Sequence, residues 1–346
     1  MKKIFNLLLS KDEKQLAQVF HDYGNTLSKE RYKLYNITLK QYQNGSNKSN
    51  NYYLSNYNLA GKLSKLIKSE QADFLLAHDA KAVALCRKLA KKYKISLIAS
   101  CHSTELKPFI GVDALFIASE SLRSIALEMG QTPRSNYHIP DLLNLKNWRE
   151  TKANQHEVMV IGTFCPLVKE QNLRVFLDSL EILKKEKIPF KAKICGSGPL
   201  LAELTQLSVT NQIEEYVEFV GEQQAKDFFP QIDIYCFTEE EAYYGQPILT
   251  ANYYGKTVIS ADNFIANEII AHDKTGIITS QNNPIALAAA FKKIIKDKNY
   301  RLKLAEQATK KLHKKHDQDI VGEQLKTALN EIWIKQKEAL RQKKSG

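Results

Sequence analysis

The stretch from Gln231 to Asp262, QIDIYCFTEEEAYYGQPILTANYYGKTVISAD, decides the fold class of this chain. Its first residues, Gln231–Phe237, form a short apolar and aromatic run that is typical of a buried strand. Three carboxylates, Glu239–Glu241, and a turn of sequence Gly245-Gln246-Pro247 follow. Pro247 is typical of the first turn of a helix, because its missing N–H would have no intrahelical partner there. The pattern therefore predicts a strand, a loop and the start of a helix.

The residues after this turn predict a helix over Ile248–Tyr254, which ends at a left-handed Gly255, and then a strand over Thr257–Ser260. A glycine turn before a helix leaves unpaired N–H groups and a partial positive charge at the end of the preceding strand. Such a place suits an anionic group, for example a diphosphate. An ordinary strand-to-helix turn with nothing bound fits the same residues.

Short apolar strands alternate with helices of about ten to fifteen residues along the whole chain, which is typical of parallel sheets with helices on both faces. With 346 residues and a 43% hydrophobic composition, the chain is large enough for two domains with separate cores. We expect an N-terminal domain over residues 1–145, a C-terminal domain over 146–312 and a helical segment over 313–346. The polar stretch Leu142–His156 is the predicted linker, and Gln41–Asn58 is predicted to be a long polar loop.

The charge and cysteine content narrow the class of protein. Fifty Lys and Arg against 38 Asp and Glu give a net charge of +12, which favours anionic partners such as a phospholipid surface or a phosphorylated substrate. No nucleic-acid-binding motif is present, so nucleic acid is not an expected partner. The five cysteines are scattered without metal-binding spacing and no apolar run approaches the roughly 20 residues of a membrane span, so we expect a cytoplasmic protein.

Two histidines follow strands of the predicted first sheet. His78 comes after the strand Ala72–Ala77, and His102 follows the strand Ile95–Ser100. Because ligands bind at the carboxyl edge of parallel sheets, both residues are candidates for a functional role. A single histidine is nevertheless more often a structural hydrogen-bonding group, and the residues alone leave both interpretations open.

The segment GQPILTANYYGKTVISAD resembles the GxPxxEAxxxGxPV segment of family 4 glycosyltransferases of the GT-B fold. The matching residues are Gly245, Pro247, Ala251, Gly255 and Val258. The two glutamates that the family pairs would fall at Ala242 and Thr250, so both carboxylates are replaced here. The loop Gly196-Ser197-Gly198-Pro199 and the strand that ends at Gly221 are also similar to the second domain of the family.

This resemblance implies the fold and the site. The fold would be α/β, with two facing doubly wound parallel-sheet domains and a C-terminal helix that returns to the first domain. His102 would be catalytic and face the donor sugar, Glu241 would replace the missing glutamate, and the role of His78 stays open. The implied donor-binding residues are Gly162, Lys169, Arg174, Gly196, Gly198, Pro199, Gly245, Gln246, Pro247, Ile248 and Thr250.

The activity that the resemblance implies is transfer of a sugar, of the hexosyl type, from a nucleotide-sugar to a glycan or lipid-linked acceptor in the synthesis of lipopolysaccharide or another surface polysaccharide. It would retain the anomeric configuration and need neither metal nor cofactor. The protein would work at the inner face of the cytoplasmic membrane. The alternative is a catalytically silent GT-B subunit that assists a partner glycosyltransferase, and a phosphorylase or epimerase is a third class.

Overall fold

The computed structural model describes residues 1–10, 14–30, 32–39, 50–102, 105–146, 156–240 and 245–345. The chain divides into two compact units. Residues Met1–Asn144 and Asp317–Gly346 make the first unit, and Leu145–His316 make the second. Each unit is built on its own parallel sheet. The first unit contains both the beginning and the end of the given sequence.

Strands and helices alternate through the first unit. In chain order they are β1 (Lys3–Leu8), α1 (Lys14–Lys29), β2 (Lys33–Thr38), β3 (Asn50–Tyr53), α2 (Leu59–Glu70), β4 (Phe74–Ala77), α3 (Ala80–Tyr93), β5 (Ser96–Cys101), β6 (Ala114–Ile117), α4 (Glu120–Glu128) and β7 (Asn136–His138). All neighbouring strands pair in parallel, in the order β3-β2-β1-β4-β5-β6-β7. The strand order reverses between β1 and β4, and this switch point is where parallel sheets open a crevice for ligands.

The strand β3 corrects one prediction from the sequence. Gln41–Asn58 was expected to be loop throughout, yet Asn50–Tyr53 pairs in parallel with β2 at the edge of the sheet. Its residues are polar because an edge strand buries only part of its surface. The Tyr52 ring packs 6.1 Å from the Tyr35 ring on β2. The part of that predicted loop before Asn50 lies outside the described residues.

The second unit repeats the alternation. Its elements are β8 (Val160–Phe164), α5 (Leu173–Lys185), β9 (Lys191–Cys195), α6 (Leu201–Thr210), β10 (Val217–Gly221), α7 (Ala225–Phe228), β11 (Ile234–Phe237), α8 (Gln246–Tyr253), β12 (Thr257–Ala261), α9 (Phe264–Ile269), β13 (Ile277–Thr279), α10 (Pro284–Lys296) and α11 (Lys298–Lys315). The sheet is parallel, in the order β10-β9-β8-β11-β12-β13. Its order reverses between β8 and β11.

Two boundaries in this unit differ from the prediction. The first strand was expected over Glu157–Ile161 with a loop from Gly162, but β8 continues to Phe164. Gly162 therefore lies inside the strand, where a Cβ would come within 2.5 Å of the Ile232 side chain. The helix expected from Ile248 begins two residues earlier, at Gln246, and it ends before a left-handed Gly255 as predicted.

The last helix, α12 (Gln318–Ser345), packs on the first unit. The helix buries an apolar stripe at three- and four-residue spacing, made by Val321, Leu325, Ala328, Leu329 and Ile332. Near its start, the Lys29 ammonium on α1 donates to the Gln318 side chain over 2.6 Å. Two parallel-sheet domains with C-terminal helices confirm the predicted fold class. No helix in the described ranges is long and apolar enough to cross a membrane.

Candidate functional site

The loops after β8 and β11 are joined at the switch point of the second sheet. The Thr238 hydroxyl donates to the Gln171 carbonyl over 2.6 Å, and the Asn172 side chain donates to a Glu240 carboxylate oxygen. A third loop joins them, because the Asn263 amide donates to the Glu239 carbonyl over 2.8 Å. These bonds hold the three loops as one rim at the carboxyl edge, where ligands of doubly wound sheets bind.

Glu239 is a carboxyl group of this rim that the sequence analysis did not single out. Glu239 is 7% exposed. Burial raises the pKa of its carboxyl group to about 7; a hydrogen bond from the Gln171 side chain lowers the pKa, and the nearby charge of Glu170 raises it. Near neutral pH this carboxyl group exists in both protonation states. Such perturbed carboxyl groups are common at functional sites. The sequence feature that could have indicated a functional role for Glu239 is its position two residues after the buried strand β11.

Gly196 and Gly198 allow the loop after β9 to touch the loop after β8. A Cβ on Gly196 would lie 1.9 Å from the Cys165 carbonyl oxygen, and one on Gly198 would lie 2.4 Å from the Leu167 carbonyl oxygen. The Leu167 N–H also donates to the Ser197 carbonyl over 2.9 Å. The two glycines are thus needed for close backbone contact, and the exposed Pro199 follows them. Whether this loop borders a nucleotide stays a prediction.

The helix α8 presents its N-terminus at the same edge of the sheet. Gly245 is its N-cap, with φ −89° and ψ −2°, and Pro247 lies in the first turn. Gly245 and Gln246 are buried, Ile248 is fully buried in the core, and the other predicted contact on this helix, Thr250, is half-buried. The helix dipole places a partial positive charge at such an end, which suits a phosphate group.

The remaining predicted donor residues are spread around this rim. Lys169 is exposed in a short helical turn between β8 and α5. Arg174 is exposed in the first turn of α5, and its guanidinium lies 3.5 Å from the Glu203 carboxylate on α6. The predicted catalytic residue Glu241, and Ala242 at the position of the family's first glutamate, lie outside the described residues.

The first unit carries a separate cluster at the carboxyl edge of its own sheet. The rings of His78 and His102, which follow β4 and β5, stack with their centroids 6.5 Å apart. The His102 Nε2 lies 2.8 Å from the Ser100 hydroxyl, and its Nδ1 lies 3.8 Å from an Asp141 carboxylate oxygen. Asp141 therefore places a carboxylate beside the histidine.

The two histidines have different surroundings. His78 is fully buried and hydrogen-bonded to the Asn6 side chain over 2.7 Å, and Asn6 in turn donates to Asn36. These hydrogen bonds link the neighbouring strands β4, β1 and β2, so the His78 side chain helps to hold the sheet together. His102 is 8% exposed. Burial lowers the pKa of His102 to about 4, so its imidazole is neutral at pH 7 and can accept or donate one hydrogen bond.

We expect the His102 imidazole to stay neutral between pH 8 and about pH 5. Its folded pKa lies below the unfolded value of about 6.5, so its contribution to stability is lost as the pH falls from about 6.5 toward 4. Histidine Cε1–H chemical shifts measured by NMR, with His102→Gln as the assignment control, check this. A midpoint near 6.5 for His102 would show that the ring is not buried as described.

Within the ranges that the structure describes, no group of three or more His, Cys, Asp or Glu residues could hold a metal ion. This finding does not test whether the reaction needs a metal, so metal independence stays a prediction.

The two parallel-sheet units with their C-terminal helices have the fold of GT-B glycosyltransferase structures. Residues 145–311, just under half of the chain, match the family model for glycosyl transferases group 1. The matched residues cover most of the second unit, Leu145–His316. No curated protein sequence matches the chain at a significant level.

Solved structures of similar fold cover nearly the whole chain. Anabaena Alr3699/HepE in complex with UDP and glucose has a TM-score of 0.80 at 17% identity, over 95% of this chain and 100% of that chain. A glycosyltransferase from Rickettsia africae ESF-5 has a TM-score of 0.83 at 14% identity, over 96% and 98%. The apo form of the lipopolysaccharide outer core galactosyltransferase WaaB has a TM-score of 0.79 at 14% identity, over 95% and 99%.

Proposed function

We propose that this protein transfers a hexosyl group from a nucleotide-sugar to a glycan or lipid-linked acceptor in the synthesis of lipopolysaccharide or another surface polysaccharide. The observation that carries the proposal is the rim of the second unit. There the loops after β8 and β11 are hydrogen-bonded together at the switch point, and the N-terminus of α8 lies at the same edge. Neighbours of the same fold hold UDP and glucose, which supports a nucleotide-sugar donor.

The rim suits the charge that the reaction develops. When the glycosidic bond breaks, negative charge grows on the nucleoside diphosphate that leaves. Preorganised N–H groups, a helix dipole and a cation can stabilise that charge without a metal ion. The end of α8 provides the first two, and Lys169 at the exposed edge of the rim provides the cation. We therefore propose a metal-independent mechanism. We also propose that it retains the anomeric configuration, as the family resemblance implies.

The donor-sugar contact in this proposal comes from the loop between β11 and α8. Glu239 is its buried carboxyl group, and Glu240 is tied to Asn172. A carboxyl group whose pKa is raised to about 7 can donate a hydrogen bond to a sugar hydroxyl as well as accept one. Glu239 therefore joins Glu241 as a candidate for the role of the glutamate that the family places at the position of Ala242.

Donor hydrolysis tests this activity without knowledge of the acceptor. The purified full chain is incubated with UDP-, GDP- and CMP-sugars, with and without EDTA, and the free nucleotide and the anomer of the released sugar are followed by NMR. We expect slow release from one donor, unaffected by EDTA and with the anomeric configuration retained. Tight binding of a sugar nucleotide without any turnover, even with candidate acceptors, would favour the catalytically silent subunit instead.

A further inference from the structure

A groove of about 560 Å³ lies in the first unit, at the edge of the sheet opposite to His102. It is bounded by the end of α3, the starts of β5 and β6 and the last turns of α12. Leu97 near the start of β5 lines the groove, whereas His102 follows the end of that strand, about 17 Å away along the strand. The groove is therefore separate from the histidine cluster.

The rim of this groove is basic. Arg87, Lys91, Lys94 and Lys335 line it, and Asp113 is the acidic residue among its lining residues. The Asp113 carboxylate accepts the Leu97 N–H over 2.8 Å, so the start of β5 already uses it. The groove thus has an excess of positive charge within a small volume.

Among the residues that the structure describes, no carboxylate forms an ion pair with these four cations. The Arg87 guanidinium donates to the carbonyl oxygens of Pro108 and Ile110 over 2.9 and 2.6 Å, and Lys335 donates to the Arg134 carbonyl over 2.5 Å. Carbonyl groups orient the cations but leave their charge in place. In the part of the chain that the structure describes, Lys91 and Lys94 form no ion pair, and both are exposed.

The floor of the groove is apolar. Its lining includes Ala90, Ile95, Val112, Ile332 and Leu340. A floor of aliphatic side chains below a basic rim is complementary to an amphiphile with an anionic head, and it differs from the polar, aromatic surfaces that hold nucleic acid. An anionic bilayer attracts each nearby Lys or Arg by about 1 kcal/mol.

We propose that this groove binds the phosphate headgroup and the first acyl carbons of an anionic phospholipid, and so holds the protein on an anionic membrane surface. Lys91, Lys94 and Lys335 contact the headgroup, while Ala339 and Leu340 on α12 contact the lipid carbons. The carboxyl edge of the first sheet, with His102, then stays free for substrate. The phospholipid binding that we propose does not depend on the proposed function. Only the further idea, that the attachment brings the protein to a lipid-linked acceptor, rests on that function.

Vesicle co-sedimentation of the full chain tests the groove. The vesicles contain either phosphatidylcholine alone or phosphatidylcholine mixed with phosphatidylglycerol. We compare the wild type with the double variant Lys91→Glu/Lys94→Glu and with a control, Lys65→Glu/Lys81→Glu, which changes the net charge equally. Lys65 is exposed on α2, and Lys81 is exposed at the start of α3. Lys81 lies about 20 Å from Lys94 along the axis of α3.

We expect the wild type and the control to bind the phosphatidylglycerol vesicles and the groove variant to bind at least about 30-fold more weakly, because two attractions of about 1 kcal/mol each are lost and reversed. Equal losses in both variants would show diffuse attraction by the net charge and overturn the proposal, as would no binding by the wild type. Nucleotide titration of the same samples separates the two proposals, because a groove without lipid affinity leaves nucleotide binding unchanged.

Discussion

The Gly245→Asp substitution is expected to weaken nucleotide binding at least 100-fold while the protein stays folded. The backbone at Gly245 has φ −89° and ψ −2°, which any residue can adopt, and aspartate is a preferred N-cap. The new carboxylate would accept the Ile248 N–H, because Pro247 has none, and it would place a negative charge beside the diphosphate. At about 4 Å and an effective dielectric constant near 20, each unit of like charge costs about 4 kcal/mol.

The matched control is Gly245→Asn, which has nearly the same shape and also caps helices well, but carries no charge. Calorimetric titration with the nucleotide that the wild type binds compares the three proteins, and circular dichroism checks their folding. We expect the asparagine variant to retain much of the affinity that the aspartate variant loses. Equal affinity of both variants and the wild type would mean that no diphosphate binds at the end of α8.

The Gly196→Ala substitution is expected to destabilise the second unit by about 3 kcal/mol or more. Gly196 has φ +146°, and its new Cβ would lie 1.9 Å from the Cys165 carbonyl oxygen, a backbone atom that cannot rotate away. To relieve this contact the two loops must separate. The hydrogen bond from the Cys165 N–H to the Cys195 carbonyl, 3.0 Å long, would then be strained or lost.

Gly221→Ala is the control for this prediction. Gly221 also has a positive φ, of +70°, and its carbonyl accepts the Gly196 N–H, but a Cβ there would meet no atom within 4 Å. Only the backbone strain remains, about 1–2 kcal/mol. Urea unfolding followed by circular dichroism measures both variants. Similar small losses at the two positions would contradict the close contact of the loops after β8 and β9.

Much of the fold could be predicted because each central strand is a short apolar run followed by an amphipathic helix. The strand β4, the positions of His78 and His102 after strands and the left-handed Gly255 all follow from such local signals. The edge strand β3 was missed because Asn50–Tyr53 is polar and gains its pairing only from β2. The extension of β8 to Phe164 was missed because a glycine inside a strand is usually a sign of a turn.

The chemistry of the site was less accessible from the sequence. The contact of Thr238 with Gln171 joins residues 67 positions apart, and Asp141 approaches His102 from a separate segment. Burial sets the pKa of Glu239, and no spacing of residues reports burial of a single carboxyl group. The sequence therefore indicated which edge of each sheet carries the site, while the partners of each side chain needed the structure.

The central claim is that the rim of the second unit binds a nucleotide-sugar. Its most direct test is calorimetric titration of the purified full chain with UDP, GDP, CMP and the corresponding sugar nucleotides. The account predicts binding of one nucleotide with a dissociation constant of about 1 μM, or −8 kcal/mol, and tighter or equal binding of its sugar derivative. Failure of a well-folded sample to bind any of these ligands would contradict the claim and remove the basis for a glycosyltransferase activity.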